Sequence, residues 1–94
     1  MDIQKESVEE FFSGHDTVGT ASQPAGIERR CVKGVWIKAD LGNGDNVYVG
    51  HAESTGANGI ELDAGEDVFI PIDSLDKVWV YGGASSQGYS YVAI

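Results

Sequence analysis

Short runs of alternating residues, separated by turns, are the feature that most constrains the fold of this chain. In the clearest run, residues 31–39, Val35, Ile37 and Ala39 alternate with an aromatic and a charged position. β-Branched and aromatic side chains at a period of two fit the pleated surface of a strand and not one face of a helix. The pattern therefore predicts a β-strand whose aliphatic side chains share one face.

Comparable runs recur along the rest of the chain, with turn residues between them. The sequence predicts further strands over residues 15–20, 46–50, 68–72, 77–81 and 89–94, with a short apolar pair, Ile60 and Leu62, between the second and third of these. Thirteen glycines punctuate the chain, and short strands with regular turns are typical of sandwiches and small barrels. We therefore expect an all-β fold, a small antiparallel sandwich or barrel of six to seven strands.

Two turn-rich sites add detail to this expectation. Residues 40–46 concentrate Gly, Asn and Asp, which is a hairpin signature and predicts that the strands on either side pair with each other. Pro71 lacks a backbone donor, so it should lie on an edge strand or at a strand end.

The alternation also predicts which side chains form the core. One face should bury the aliphatic set together with one face of the last strand: Val35, Ile37, Val47, Val49, Val68, Ile70, Val78 and Val80. Four aromatic residues fall out of phase with this set: Trp36, Tyr48, Phe69 and Trp79. Either both sheet faces are buried, or the aromatic side chains form an outer surface that another subunit covers.

The first fourteen residues differ from the rest and are expected to form an N-terminal arm, a short helix or an extended segment, ahead of a β-sandwich domain over residues 15–94. A helix of a dozen residues is marginal in water without packing. The adjacent Phe11 and Phe12 need burial. The arm is either a clasp over the chain's own core or a segment that docks on a neighbouring subunit.

The net charge of the chain limits the kinds of partner that it can bind. Six basic and fifteen acidic residues give a net charge of −9, whereas binding to nucleic acid or to an anionic membrane surface requires clustered Lys and Arg. No run approaches the roughly 20 apolar residues that span a bilayer. We expect a protein that binds neither nucleic acid nor membrane, with an acidic surface that faces water or a basic partner.

The residues that carry chemistry do not assemble into a recognisable motif. Cys31, His15 and His51 are the only soft metal donors and have no close spacing. The oxygen-rich segment 40–46 does not match the calcium-loop register, and its composition is that of a turn. Cys31 begins an apolar run, where a free cysteine is usually a small core residue. We expect no catalytic residue, no metal and no cofactor, and therefore no enzyme.

Several segments together resemble a family of small virion proteins of tailed bacteriophages. The resemblance covers about residues 32–94, and its segments are VWIKA at 35–39, NVYVG at 46–50, GIELDAGE at 59–66, IDSLDKVWV at 72–80 and YSYV at 89–92. It implies a structural component of the particle, a capsid decoration or cement protein on the outer capsid surface. A tail, baseplate or head–tail connector component on the same fold is the alternative.

That role implies a homo-oligomer, contacts with the major capsid protein, or both. The candidate interface residues are Phe11, Phe12, Trp36, Tyr48, Phe69, Trp79, Tyr89, Tyr91, Val92 and Ile94. The arm and the last strand are the two segments that could cross to a neighbour by strand addition. A third hypothesis is a carbohydrate-binding module, in which Trp36, Tyr48, Trp79 and Tyr81 form one stacking platform.

Overall fold

The computed structural model of the chain describes residues 11–94. The prediction of a helical or extended arm over residues 1–10 therefore lies outside the described residues. Eight strands follow one another in the described part: β1 (Phe12–Val18), β2 (Gln23–Pro24), β3 (Val35–Ala39), β4 (Val47–Gly50), β5 (Ile60–Leu62), β6 (Asp67–Ile70), β7 (Trp79–Gly82) and β8 (Gln87–Ala93). One turn of 3-10 helix, Leu75–Lys77, precedes β7.

The strands form two four-stranded antiparallel sheets. Sheet 1 has the order β1-β8-β3-β6 and sheet 2 the order β2-β7-β4-β5. The predicted all-β antiparallel sandwich is confirmed. It has one strand more than the upper predicted number, because β2 is only two residues long, too short for its alternation to be visible in the sequence.

The chain changes sheet at almost every connection. Only β4 and β5 are neighbours both along the chain and within a sheet. Eight strands in two four-stranded sheets with this order form a jelly roll. Fold alone does not give function, so the argument about function depends on the surfaces that this fold creates.

The predicted hairpin between residues 31–39 and 46–50 is wrong. β3 pairs with β6 and β8, whereas β4 pairs with β5 and β7 in the other sheet. The intervening loop, residues 40–46, crosses between the sheets because its polar groups bond to β8. The Asn43 side chain donates to the Gly88 carbonyl and accepts from the Gly88 amide, both at 2.8 Å.

The predicted core is largely confirmed. Six of its members are at most 2 % exposed: Val35, Ile37, Val47, Val49, Val78 and Val80. Val68 and Ile70 are half-buried and pack against this cluster from the edge strand β6. The buried face of β8, which the alternation left undecided, is that of Tyr89, Tyr91 and Ala93, and Tyr89 is completely buried.

Two predicted strand starts lie at different residues. β1 begins at Phe12, inside the segment assigned to the arm, and β3 begins at Val35 rather than at Cys31. Gly34 has φ +153°, and a Cβ there would collide with the Ile70 carbonyl oxygen. The chain therefore turns sharply at Gly34 before it enters β3. Pro71 follows the edge strand β6 directly, as predicted.

The last strand is not available for strand addition. β8 lies between β1 and β3 and is paired along both of its edges. The Ile94 amide donates to the Gly34 carbonyl at 2.9 Å, which anchors the last residue as well. The prediction that this strand crosses to a neighbour is therefore wrong, because the strand forms the middle of sheet 1.

The sandwich has two ends of different character. The apolar end consists of the loops 25–34, 51–59 and 71–78, and the acidic end consists of the loops 19–22, 40–46, 63–66 and 83–86. Within residues 11–94, no helix is long and apolar enough to cross a membrane.

Candidate functional site

The outer face of sheet 1 carries an aromatic cluster. Trp36 on β3 lies opposite Phe69 on β6 and Val92 on β8 in the strand register. The two rings are 5.2 Å apart between centroids and tilted by 53°, within the distance range in which aromatic pairs attract each other. Trp36 still has 42 % of its surface exposed, which is uncommon for the largest apolar side chain.

A polar row lies beside this cluster on the same face. Lys38 on β3 is opposite Asp67 on β6 and Ser90 on β8. A depression of about 200 Å³ is lined by Trp36, Lys38, Asp67, Ser90, Tyr91 and Val92. The face therefore combines an exposed indole with a hydroxyl, an ammonium group and a carboxylate.

The same face holds a histidine–carboxylate pair. The His15 Nε2 atom lies 2.6 Å from the Asp40 Oδ2 atom. The two side chains meet above Gly88, where a Cβ would collide with the Asp40 carboxylate. Both side chains are open to solvent, at 56 % and 34 % exposure. Such an exposed pair contributes little stability.

The outer face of sheet 2 carries the other aromatic residues. Tyr48 and Tyr81 are cross-strand partners with ring centroids 6.1 Å apart, and Trp79 lies on the same side of β7. Trp36 lies on sheet 1, on the opposite side of the molecule. The predicted single stacking platform of four aromatic residues is therefore wrong, because the two sheets turn these side chains in opposite directions.

The apolar end exposes several large aliphatic and aromatic side chains. Ile27 is 68 % exposed and Val32 is 73 % exposed in the loop before β3. Phe11, just before β1, and Ile60, at the start of β5, are 61 % and 50 % exposed. At the acidic end, the one large apolar side chain that is exposed among the described residues is Leu41, at 79 %. A single exposed apolar residue is ordinary, but several at one end of a small domain indicate a contact surface.

Charge separates the two ends further. The loops of the apolar end contain four basic residues, Arg29, Arg30, Lys33 and Lys77, and four acidic ones. The loops of the acidic end contain four acidic residues and no Lys or Arg: Asp40, Asp45, Asp63 and Glu66. The charges in the loops of the apolar end therefore balance, whereas the charges in the loops of the acidic end are all negative.

A groove opens between the sheets at the apolar end. A cavity of about 360 Å³ is lined by Ile60, Ile70 and Ile72 among others, and a second one of about 590 Å³, lined in part by Trp79, adjoins it at Ile72. His51 and Lys77 border both. The Lys77 ammonium lies 2.9 Å from the Asp73 carboxylate, and this contact lowers the pKa of Asp73.

The predicted interface residues fall into three groups. On outer faces and at least partly accessible are Trp36, Tyr48, Phe69, Trp79 and Val92. At the apolar end are Phe11, Phe12 and Ile94, and the Arg29 guanidinium lies 4.1 Å from the Phe12 ring centroid. Tyr89 and Tyr91 face the core.

Among the predicted interface residues, the prediction for Tyr89 is wrong. Tyr89 is completely buried and its hydroxyl donates to the Ala25 carbonyl at 2.8 Å, so it is a core residue and not an interface residue. Tyr91 is half-buried, over Gly14 and Gly26, where added Cβ atoms would contact its ring.

Cys31 lies before β3 and not within it. Its thiol is half-buried and donates to the Ile72 carbonyl at 3.2 Å. Burial raises the pKa of Cys31, and the nearby Asp73 carboxylate raises it further. The neutral thiol is thus favoured, which is unlike the activated thiolate of a nucleophile. Among residues 11–94, no three His, Cys, Asp or Glu side chains are grouped to hold a metal ion.

Sequence reasoning did not identify Ile27, Val32 and Ile60 as surface residues. Each stands in or beside a loop, where one aliphatic residue gives no periodic signal. The cross-strand grouping of Ser90 with Lys38 and Asp67 was also unpredicted, because it depends on β8 lying beside β3. No protein-family model matches the chain, and a search of curated proteins finds no significant relative.

Proposed function

We propose that this chain is a non-enzymatic structural component of a bacteriophage particle, a capsid decoration or cement protein that stabilises the shell through subunit contacts. The observation that carries the assembly role is that four large apolar side chains are exposed at one end of the sandwich: Phe11, Ile27, Val32 and Ile60. The resemblance over residues 32–94 supports the virion context.

The distribution of charge supports an orientation for this role. The apolar end holds four of the six Lys and Arg residues of the chain, beside its exposed apolar groups. Apolar anchors with Arg at a surface are typical of protein interfaces. In this proposal the apolar end contacts the capsid subunits, and the acidic end faces the solvent outside the particle.

The direct test is co-sedimentation with empty shells assembled from the major capsid protein of the same genome. Wild-type chain should bind saturably and raise the melting temperature of the shells, because binding to the assembled state stabilises it. The variant Ile27→Glu/Val32→Glu should bind at least about tenfold more weakly, since it places two charges in a desolvated contact.

Leu41→Glu is the matched control. Leu41 is 79 % exposed at the acidic end, so this variant introduces the same kind of charge on the side that should face solvent. It should bind shells as the wild type does. Equal loss in both variants, or a chain that is monomeric and has no affinity for shells, would contradict the proposal.

Position on the particle needs a second measurement. Immunogold labelling of intact particles with an antibody against the chain should decorate the head. Label confined to the tail, baseplate or connector would replace the decoration role with the alternative on the same fold.

A further inference from the structure

We propose that the outer face of sheet 1 binds a neutral saccharide, with one pyranose ring stacked on the Trp36 indole. This site lies on a sheet face and not at the apolar end. The inference goes beyond the assembly role and does not depend on it.

Trp36 is flanked by its two register partners. Phe69 contacts the indole at 5.2 Å between centroids, with the rings tilted by 53°, and Val92 is the partner on β8. These neighbours fix the ring on a rigid central strand, yet 42 % of Trp36 remains exposed. The axial C–H groups of a pyranose form an apolar face of about the same size as an indole ring, and C–H groups are attracted to an aromatic π-face.

The polar wall of the depression supplies the complementary groups. Lys38 can donate, Asp67 can accept, and the Ser90 hydroxyl can do both. Sugar hydroxyls have the same dual character. Within the part of the chain that the structure describes, neither the His15–Asp40 contact nor the Lys77–Asp73 ion pair involves Lys38 or Asp67, so both keep their hydrogen-bonding capacity for a ligand.

Other flat ligands fit less well. The base of a nucleotide could stack on Trp36, but the nucleotide's phosphates would be repelled by a chain of net charge −9. The depression, about 200 Å³, is smaller than the roughly 300–1,000 Å³ of sites for drug-sized molecules. One sugar ring with groups of both charges around it matches this volume and this chemistry.

A single ring on a shallow surface implies weak intrinsic affinity, with a millimolar dissociation constant. Several copies of the chain held together would bind a polysaccharide far more tightly, because each further contact is then intramolecular. In the first screen, beads that carry the chain at high density should therefore be applied to a glycan array of neutral saccharides.

The binding site is then mapped with the free chain. The chain has two tryptophans, so Trp79→Phe leaves Trp36 as the only indole and serves as the matched control on the opposite sheet. A saccharide selected by the array should quench Trp36 fluorescence and shift its Nε1–H resonance in Trp79→Phe, with wild-type affinity. Trp36→Ala should weaken binding at least about tenfold, the loss typical of a stacked ring.

Lys38→Ala provides a second variant, at a surface position that the core does not need. It should weaken binding severalfold while leaving the thermal melt unchanged. Binding of no neutral saccharide by the beads, unchanged binding in Trp36→Ala, or loss of binding in Trp79→Phe would each overturn the proposal. The Ile27→Glu/Val32→Glu variant should keep full saccharide binding, which separates this site from the assembly surface.

Discussion

Tyr89 is the largest side chain that the core buries completely, and its hydroxyl group is fully engaged there. The hydroxyl donates to the Ala25 carbonyl at 2.8 Å and accepts from the Gln23 amide at 3.3 Å. Burial raises the pKa of Tyr89, and the charges of Asp16 and Tyr91 raise it further, while the Gln23 hydrogen bond opposes them. The neutral phenol is therefore the form that the fold selects.

This shift predicts a specific loss of stability at alkaline pH. The folded pKa is raised, so the stability that Tyr89 contributes is complete below the unfolded pKa of about 10 and is lost as pH rises through the folded value. Tyr89→Phe should lower the free energy of unfolding at pH 7 by about 1–3 kcal/mol, because it leaves a buried carbonyl without its donor. The deficit should shrink above pH 10.

Urea unfolding at pH 7, 9 and 10.5 measures this deficit. Tyr81→Phe, on the outer face of sheet 2, is the control for removing a tyrosine hydroxyl outside the core. A Tyr89→Phe deficit that stays constant or grows between pH 9 and 10.5 would contradict the assignment.

The element that joins the two sheets, the loop 40–46, shows how a short polar segment can direct topology. The Asn43 side chain bonds to both backbone groups of Gly88 and so replaces a strand partner at that position. The Asp45 amide donates to the buried side-chain oxygen of Gln87 at 2.8 Å. Both contacts fix the loop to the beginning of β8 and direct the chain from β3 into the other sheet.

Substitution of Asn43 tests this anchoring. Asn43→Ala should lower the free energy of unfolding by about 1–3 kcal/mol, since two part-buried backbone groups lose their partners. Asn43→Asp should cost at least as much, because it places a carboxylate oxygen against the Gly88 carbonyl. Thermal or urea melts give both values.

Asn58→Ala is the matched control for this change. Asn58 accepts one hydrogen bond from the Thr55 amide in an exposed loop, so its replacement should cost less than about 0.5 kcal/mol. Equal losses at the two positions would show that the 40–46 loop contributes no special anchoring.

The strands were largely predictable from sequence, and their partners were not. Alternation alone identified the inward faces of β3 and β4, because a buried face needs a period of two, and it divided β8 into two faces without deciding which is buried. A loop rich in Gly, Asn and Asp can connect two strands of one sheet or cross to another sheet. The composition of the loop 40–46 therefore led to the wrong prediction of a hairpin. The deciding contacts join Asn43 to Gly88, and no local pattern reports a partner so distant along the chain.

At the scale of the whole molecule, the fold depends on pairings between distant segments. β1 pairs with β8 along its full length, and β3 pairs with β6 and β8. The exposed apolar end and the Trp36 face both arise from these pairings between distant segments. The sequence could therefore identify the aromatic residues, but it could not show which of them share a sheet face. Trp36 and Trp79 proved to lie on opposite sheets.

The same topology predicts slow, cooperative folding. Bringing β1 and β8 together closes a long loop, and the entropy lost in doing so opposes folding until the contacts between the two strands have formed. Only β4 and β5 are neighbours in a sheet that also follow each other along the chain. Refolding from urea should therefore take milliseconds to seconds, as in other all-β domains, and not microseconds. The single-tryptophan variants Trp36→Phe and Trp79→Phe place one fluorescent reporter on each sheet.

Stopped-flow refolding of the two variants should give single-exponential traces with rate constants that agree after correction for their stabilities. The two rate constants should agree because neither sheet can form without the other. The core lies between the sheets, and every connection except that between β4 and β5 joins one sheet to the other. A Trp79 signal on sheet 2 that recovers markedly earlier than the Trp36 signal on sheet 1 would show instead that the β4–β5 pair organises its own sheet first, and that the sandwich closes in a second step.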